Sequence, residues 1–231
     1  METQKLDLEG LPALLIGAPS EKAFLYVHGK LGCKEEALDF ALQACPAGYQ
    51  VLAVDLPEHG ERKGECAALL PWVVVPELQQ VYRWMQARWG GISLRATSIG
   101  GWMSLLALQE AKLERTLLVS PVVDMPGLIR DMMRWANVTE AELERRGEIP
   151  TAFGETISWR YLRWADENPL RWRQKTAVLY AGGDDLTRRP VIERFCRESG
   201  AVLTVMEQGE HWFHTPEQLA VLHRWETQNL K

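Results

Sequence analysis

Residues 94–102 read Leu94-Arg95-Ala96-Thr97-Ser98-Ile99-Gly100-Gly101-Trp102, and they combine the end of a strand pattern with the start of a helix pattern. A short apolar run ends at Ala96, and a helical pattern begins near Ile99. The serine between them lies where a strand turns sharply into a helix, which requires small residues two positions before and two positions after it. Gly100 meets this requirement, while Ala96 adds one methyl group at the first small position. The pattern predicts a nucleophile elbow that lifts the Ser98 hydroxyl above the sheet edge.

The composition limits the class of protein. The chain has 231 residues, 46% hydrophobic and 25% charged, which is typical of one soluble α/β domain with a substantial core. A net charge of -5 without a lysine or arginine block argues against a nucleic-acid surface. The N-terminus lacks the apolar core of a signal peptide, and no apolar run approaches the ~20 residues of a membrane helix. We expect one cytoplasmic domain, residues 1–231, without nucleic-acid or membrane partners and of undetermined oligomeric state.

The cysteines and histidines form no metal-binding motif in the sequence. Four cysteines show no C-x-x-C spacing, so we expect them to be reduced and packed: Cys33, Cys45, Cys66 and Cys196. His211 and His214 lie close together, but no third ligand follows at a suitable spacing. The sequence therefore predicts no metal site.

Short apolar strands alternate with helical patterns along most of the chain. We predict an opening hairpin over residues 5–16 and buried strands at 23–27, 50–54, 92–96, 116–120, 177–180 and 202–206. We predict helices at 34–45, 76–89, 99–111, 189–198 and 216–228. Pro76 is expected in the first turn of its helix, and Gly90-Gly91 is expected to end it. This alternation is typical of a largely parallel sheet with helices on both faces.

Residues 125–168 interrupt this alternation. The segment contains no strand-like run, and its patterns predict helices at 127–136, 139–146 and 155–165. Thr139 and Glu142 match a capping box. Because these helices stand between two strands of the sheet, we expect them to form a cap over the strand ends.

Three polar residues follow predicted strands in the order serine, aspartate, histidine: Ser98, an aspartate after the 177–180 strand, and His211. A serine hydroxyl needs a base to become a nucleophile, and histidine titrates in the right pH range. That histidine needs a carboxylate to orient it. Because the carboxyl ends of parallel strands share one sheet edge, we expect the three side chains to converge there. The backbone N–H groups of Ile99 and Lys30 would stabilise a tetrahedral oxyanion.

Alternatives remain open for these positions. Strand register favours Asp184 as the carboxylate, whereas a literal G-x-x-D spacing selects Asp185, and Asp124 after the preceding strand is a third candidate. His214 is a rival base but lies further from its strand end than His211. A serine at this turn also fits a helix N-cap. A separate hypothesis is a catalytically silent binding protein, because a fold does not by itself guarantee chemistry.

Five pieces of the sequence, spread over nearly the whole chain, resemble the α/β-hydrolase family and its small, capped serine esterase branch. They are His28-Gly29-Lys30-Leu31-Gly32, Asp55-Leu56-Pro57-Glu58-His59-Gly60, the Ser98 elbow, Gly183-Asp184-Asp185 and Glu210-His211. The resemblance implies a mostly parallel eight-stranded sheet with a cap inserted after the sixth strand. It also implies acyl transfer to water through an acyl-serine, usually without a cofactor. His28 and His59 are interpreted as braces of the oxyanion turn.

The residues and the resemblance together predict a serine hydrolase that cleaves a small carboxylic ester. Ser98 is expected to attack, His211 to transfer the proton and Asp184 to orient His211, while the N–H groups of Lys30 and Ile99 hold the oxyanion. Thioesterases, amidases or peptidases and perhydrolases use the same machinery, so the sequence does not discriminate among them. Several cationic side chains are interpreted as solvated: Lys30, Arg188, Arg189 and Arg194.

Overall fold

The computed structural model describes residues 1–65 and 68–230, and within them it contains an eight-stranded sheet, a two-stranded hairpin and eight α-helices. The strands are β1 (Thr3–Asp7), β2 (Pro12–Ile16), β3 (Lys22–Val27), β4 (Gln50–Val54), β5 (Gly91–Thr97), β6 (Thr116–Val119), β7 (Glu148–Pro150), β8 (Thr156–Ser158), β9 (Thr176–Ala181) and β10 (Val202–Met206). The helices are α1 (Ala37–Ala44), α2 (Pro71–Gln86), α3 (Ser98–Leu108), α4 (Met125–Trp135), α5 (Glu140–Arg146), α6 (Trp159–Glu167), α7 (Arg189–Ser199) and α8 (Pro216–Asn229).

The large sheet has the strand order β1-β2-β4-β3-β5-β6-β9-β10. Strand β2 pairs antiparallel with β1 and β4, and every pair from β4 to β10 is parallel. The predicted mostly parallel, eight-stranded sheet is therefore confirmed. Strands β4 and β9 are buried along their whole length because helices cover both faces of the sheet. The loops that follow β3, β5, β9 and β10 consequently meet at one edge of the sheet.

Helices pack on both faces of the sheet. Helices α2, α3 and α7 contribute to the larger apolar cluster on one face, which includes the buried Trp102. Helices α1 and α8 pack on the opposite face of the sheet. There the Phe40 ring lies edge-on against the Phe24 ring of β3, with 5.0 Å between ring centroids. Full burial of a side chain such as Phe40 stabilises the fold by about 1.5–3 kcal/mol. The two apolar layers hold the sheet, and with it the strand ends, in a fixed position.

Helix α2 begins earlier than its proline pattern predicts. Pro71 occupies its first position, and Pro76, which was expected in the first turn, lies inside the helix. A proline inside a helix deprives the carbonyl four residues earlier of its donor. Pro76 itself is exposed to solvent. The helix ends at Gln86, and Gly91 already belongs to β5.

The segment between β6 and β9 contains α4, α5, α6 and the β7–β8 hairpin. A helix was predicted over 155–165, but residues 156–158 form β8 and α6 starts only at Trp159. Ile149 and Ile157 face each other across the hairpin and are both buried. In each of these short strands the central isoleucine is buried and its neighbours face the other side, which is the alternation of a strand. This pairing replaces the helix that the sequence predicts at residues 155–158. Thr139 caps α5 as predicted, because its side chain accepts the Glu142 N–H.

Two further features bear on the sequence analysis. Cys33, Cys45 and Cys196 are free thiols, and Cys66 lies outside the described residues. Across residues 1–65 and 68–230, no helix combines the length and the apolar character that crossing a bilayer requires.

Candidate active site

Ser98 lies on a strained turn between β5 and α3. Its φ is +52°, in the left-handed region that a residue other than glycine adopts only at a cost of about 1–3 kcal/mol. A Cβ atom on Gly100 would lie 2.1 Å from the carbonyl oxygen of His28, so only glycine fits there. Ala96 is fully buried and pairs with Val27 of β3, which shows that its extra methyl group is accommodated. The turn has the shape that the elbow pattern predicts.

Ser98, His211 and Asp184 come together at this turn. His211 Nε2 lies 2.8 Å from Ser98 Oγ, and His211 Nδ1 lies 2.8 Å from Asp184 Oδ2. A carboxylate only accepts hydrogen bonds, so His211 Nδ1 carries the proton and Nε2 is free to accept the Ser98 hydroxyl. This tautomer is the one that a histidine needs in order to act as a base toward the serine.

The loop between β9 and α7 holds Asp184 in place. The N–H groups of Leu186 and Thr187 donate to Asp184 Oδ1 at 2.9 and 3.0 Å, which leaves Oδ2 for His211. The Asp184 side chain is fully buried, whereas Asp185 is exposed to solvent. The strand register therefore identified the aspartate that contacts His211, and the literal G-x-x-D spacing did not.

The other two alternatives occupy structural positions. Asp124 caps α4 by accepting the Gly127 N–H at 3.0 Å, and it also pairs with Arg194 at 3.3 Å. The His214 ring stacks on Trp212 with 4.6 Å between centroids, and His214 Nδ1 donates to the Trp212 carbonyl oxygen at 2.8 Å. Neither arrangement involves Ser98 directly.

The loop after β3 lies against the serine. A Cβ atom built on Gly29 would lie 3.2 Å from Ser98 Cβ, so the Gly29–Lys30 peptide stands beside Ser98. The loop turns back on itself through a 3.2 Å hydrogen bond from the Gly32 N–H to the Gly29 carbonyl. Leu31 has a φ of +67°, and its N–H donates to His59 Nε2 at 2.8 Å. This loop therefore lies beside the Ser98 side chain.

His28 and His59 brace this loop, as the sequence analysis interpreted them. His28 Nδ1 donates to the Gly29 carbonyl at 2.7 Å, and its Nε2 accepts the Leu56 N–H at 3.0 Å. Burial lowers the pKa of His28 to about 4, because the charged form would lose its hydration. A neutral ring is also what the acceptor role of Nε2 requires.

A buried ion pair behind the loop was missed by the sequence analysis. Lys34 Nζ lies 2.6 Å from Asp55 Oδ2, both side chains are buried, and Asp55 Oδ1 accepts the Lys34 N–H at 2.8 Å. Burial alone would lower the pKa of Lys34, but hydrogen bonds to Asp55 and Glu61 raise it above its ordinary value. Gly60 has a φ of +52°, and a Cβ atom there would lie 2.1 Å from the Asp55 carboxylate. Lys34 gave no signal because its helix pattern described only the apolar side.

The cationic side chains around the site are exposed but paired. Lys30 Nζ contacts the carboxylate of Glu155, in the turn of the β7–β8 hairpin. Arg188, at the start of α7, lies 3.2 Å from Asp131 of α4. Both pairs join loops at the sheet edge to the segment between β6 and β9.

A strained serine that follows a central parallel strand is the defining feature of the α/β-hydrolase fold. The chain matches the family model of the alpha/beta hydrolases over residues 24–223, and it belongs to this family. Membership of this family supports hydrolase activity.

Solved structures share this fold at low sequence identity. Est1E from Butyrivibrio proteoclasticus, with ferulic acid bound, is 16% identical with a TM-score of 0.74, covering 98% of this chain and 97% of that chain. Alpha/beta hydrolase domain-containing protein 10 from mouse is 14% identical with a TM-score of 0.76, covering 100% and 98%. An esterase from Pyrococcus furiosus is 16% identical with a TM-score of 0.67, covering 99% and 87%. A comparison with curated proteins found no match.

Proposed function

We propose that this protein is a serine hydrolase that cleaves small carboxylic esters through an acyl-serine intermediate. The observation that carries the proposal is the continuous hydrogen-bond chain from Ser98 Oγ through His211 to Asp184 Oδ2, with 2.8 Å at each contact. A serine in this arrangement transfers its proton to a base as it attacks a carbonyl carbon. Membership of the alpha/beta hydrolase family supports the same class of reaction.

The proposed reaction has two halves. His211 Nε2 takes the hydroxyl proton as Ser98 Oγ attacks the ester carbonyl, and it then delivers that proton to the departing alkoxide. The bond to the alcohol breaks, and the acyl group stays on Ser98. A water molecule then attacks the acyl-serine while His211 Nε2 takes its proton. The bond between the acyl carbon and Ser98 Oγ breaks, His211 returns the proton to Oγ, and the carboxylic acid is released. Asp184 orients His211 and stabilises its protonated form in both halves.

Two backbone N–H groups are proposed to stabilise the oxyanion. Ile99 lies in the first turn of α3, where N–H groups lack an intrahelical acceptor and the helix dipole favours negative charge. Lys30 follows Gly29 in the loop that lies against Ser98. Loss of one such donor typically lowers kcat by roughly 10²–10³.

Residues 125–168 are proposed to form a cap that screens substrates by size and polarity. The Lys30–Glu155 and Arg188–Asp131 ion pairs join this segment to the two loops beside the site. The Tyr161 ring of α6 stacks on Trp102, one helical turn after Ser98, with 6.0 Å between centroids. A panel of p-nitrophenyl esters of increasing acyl length would measure how strongly the segment restricts the substrate.

Replacement of the proposed nucleophile is the direct test. Ser98→Ala is expected to abolish turnover of p-nitrophenyl acetate and butyrate, because the attacking hydroxyl is gone. The circular dichroism spectrum is expected to stay native, because the alanine side chain is small enough for the turn. Ser199→Ala, at the end of α7, is the matched control and is expected to keep wild-type turnover. Undiminished hydrolysis by Ser98→Ala would contradict the proposal.

A fluorophosphonate probe separates an enzyme from a silent binding protein of the same fold, because only an activated serine reacts with it. We expect stoichiometric labelling of the wild type and none of Ser98→Ala. If peptide mass spectrometry located the label on a different residue, that residue and not Ser98 would be the nucleophile.

A further inference from the structure

One ion pair connects the loop beside Ser98 to the hairpin of the 125–168 segment. Lys30 Nζ contacts the Glu155 carboxylate, and the two side chains are 46% and 36% exposed. Lys30 is also the residue whose backbone N–H is proposed to stabilise the oxyanion. The same residue therefore carries a proposed catalytic N–H on its backbone and an attachment to a distant element on its side chain.

The Glu155 end of this contact is firmly held. The Glu155 carbonyl accepts the Thr151 N–H at 2.8 Å and the Thr151 hydroxyl at 2.7 Å, and the Glu155 N–H donates to that hydroxyl oxygen at 3.2 Å. Ile149 and Ile157 on either side of the turn are buried in the core. Glu155 thus extends from a hairpin that cannot shift without exposing apolar surface.

The Lys30 end is less constrained by its own packing. Its neighbour Leu31 is 90% exposed and adopts a strained φ of +67°, so its side chain adds little to hold the loop. The Leu31 N–H bond to His59 and the Gly29–Gly32 turn fix the two ends of the loop. The carbonyl oxygen of the Gly29–Lys30 peptide accepts hydrogen bonds from His28 Nδ1 at 2.7 Å and from the Gly32 N–H at 3.2 Å, which fixes that oxygen. The Lys30 end of the same peptide is held further by its side chain, which contacts Glu155.

We propose that Glu155 is a positioning residue, which holds the Lys30 peptide so that its N–H faces the oxyanion formed at Ser98. The inference rests on the proposed function of Lys30. It couples the placement of the 148–158 hairpin to the catalytic step, beyond any role of the segment in substrate screening. A partly exposed ion pair supports a modest effect, so we expect a threefold to fivefold change in kcat rather than the full loss of an oxyanion donor.

Glu155→Gln is the test variant, and Glu167→Gln is its matched control. Glu167 lies on α6 of the same segment and forms a more exposed ion pair with Arg163, away from Lys30. Glu155→Gln is expected to lower kcat about threefold to fivefold for both p-nitrophenyl acetate and butyrate, with KM unchanged. Glu167→Gln is expected to match the wild type. A rise in KM that depends on acyl length, with kcat unchanged, would instead indicate a role in substrate screening and would overturn the inference.

The dependence of kcat on salt concentration and on exchange of the two charges is a second test. Salt screens an exposed pair, so kcat of the wild type is expected to fall toward that of Glu155→Gln as NaCl is raised to ~1 M, while the variant stays constant. The double exchange Lys30→Glu with Glu155→Lys keeps the backbone N–H and is expected to recover at least half of the lost kcat. Equal salt dependence of wild type and variant, or no recovery in the exchanged protein, would overturn the inference.

Fluorophosphonate labelling distinguishes failure of this inference from failure of the proposed function. If the wild type is labelled at Ser98 and Glu155→Gln has wild-type kcat, the positioning role alone is wrong. If the wild type is neither labelled nor active, the proposed function is wrong and the inference falls with it.

Discussion

At the scale of single residues, backbone strain is concentrated around the site. Leu31, Ser98 and Ser120 have φ values of +67°, +52° and +41°, and they follow strands β3, β5 and β6. Such conformations persist only where surrounding contacts enforce them. At Ser98 the carbonyl accepts the Val122 N–H at 3.1 Å, and the close approach of His28 to Gly100 leaves no room for relaxation. The strain holds the hydroxyl toward His211.

Asp184 and Asp185 allow a comparison between neighbours. Asp184→Asn places an amide where His211 Nδ1 now donates, which favours the wrong imidazole tautomer, so kcat/KM is expected to fall by roughly 10⁴. Asp185→Asn is the matched control, because that side chain is exposed, and it should retain wild-type kcat/KM. Hydrolysis of p-nitrophenyl butyrate measures both variants. A larger loss of kcat/KM in Asp185→Asn than in Asp184→Asn would show that Asp185 is the carboxylate that orients His211.

At the scale of secondary structure, a buried ion pair joins β5, the strand that leads to Ser98, to α8. Arg95 Nε lies 2.9 Å from Glu226 Oε1, and both side chains are almost fully buried. Arg95 also donates to Thr97 Oγ1 at 2.6 Å, next to Ser98. Burial raises the pKa of Glu226, although the Arg95 charge opposes that shift. The apolar pattern of β5 predicts a strand but does not reveal which helix its arginine meets.

Glu226→Gln leaves Arg95 buried without its opposite charge, so we expect the free energy of unfolding to fall by about 3–5 kcal/mol. Asp39→Asn is the matched control, because Asp39 forms a partly exposed pair with His223 of the same helix, at 2.7 Å. Loss of the Asp39–His223 pair is expected to lower the free energy of unfolding by less than about 1 kcal/mol. Urea unfolding at neutral pH measures both. Equal losses of unfolding free energy in Glu226→Gln and Asp39→Asn would contradict the expectation that breaking the buried pair is the more destabilising change.

At the scale of the whole molecule, His28 links stability to pH. Its pKa is lowered from 6.5 to about 4 by burial, so the unfolded chain binds a proton that the folded protein resists. The stability contributed by neutral His28 is therefore fully present above pH 6.5 and is lost as the pH falls from 6.5 toward 4. One proton corresponds to a slope of up to about 1.4 kcal/mol per pH unit in that window.

His28→Asn removes this titration. The variant is expected to be less stable than the wild type at pH 7, because it loses the bond to the Leu56 N–H. Its free energy of unfolding should nevertheless depend less steeply on pH between 6.5 and 4, while other titrating groups act equally in both proteins. Urea unfolding at pH 7, 6 and 5 gives the two slopes. Parallel slopes would show that His28 does not couple folding to protonation.

Local sequence patterns were enough to predict the order and type of the main elements, the parallel sheet and the small-residue turn at Ser98. These features depend on local patterns, such as apolar runs of strand length and glycine at Gly100, which neighbouring residues alone encode. Strand order along the chain also brought the Ser98, Asp184 and His211 positions to one sheet edge, because parallel strands end on the same side.

The contacts between distant side chains became known only from the folded structure. It placed Asp184 rather than Asp185 against His211, paired Lys34 with Asp55 and Arg95 with Glu226, and turned residues 156–158 into a strand. Each of these depends on partners far away along the chain, whose distance and burial no local pattern encodes. The physical reason is that hydrogen bonds and ion pairs act over a few ångströms of space, whereas periodicity and propensity act along a few residues of sequence.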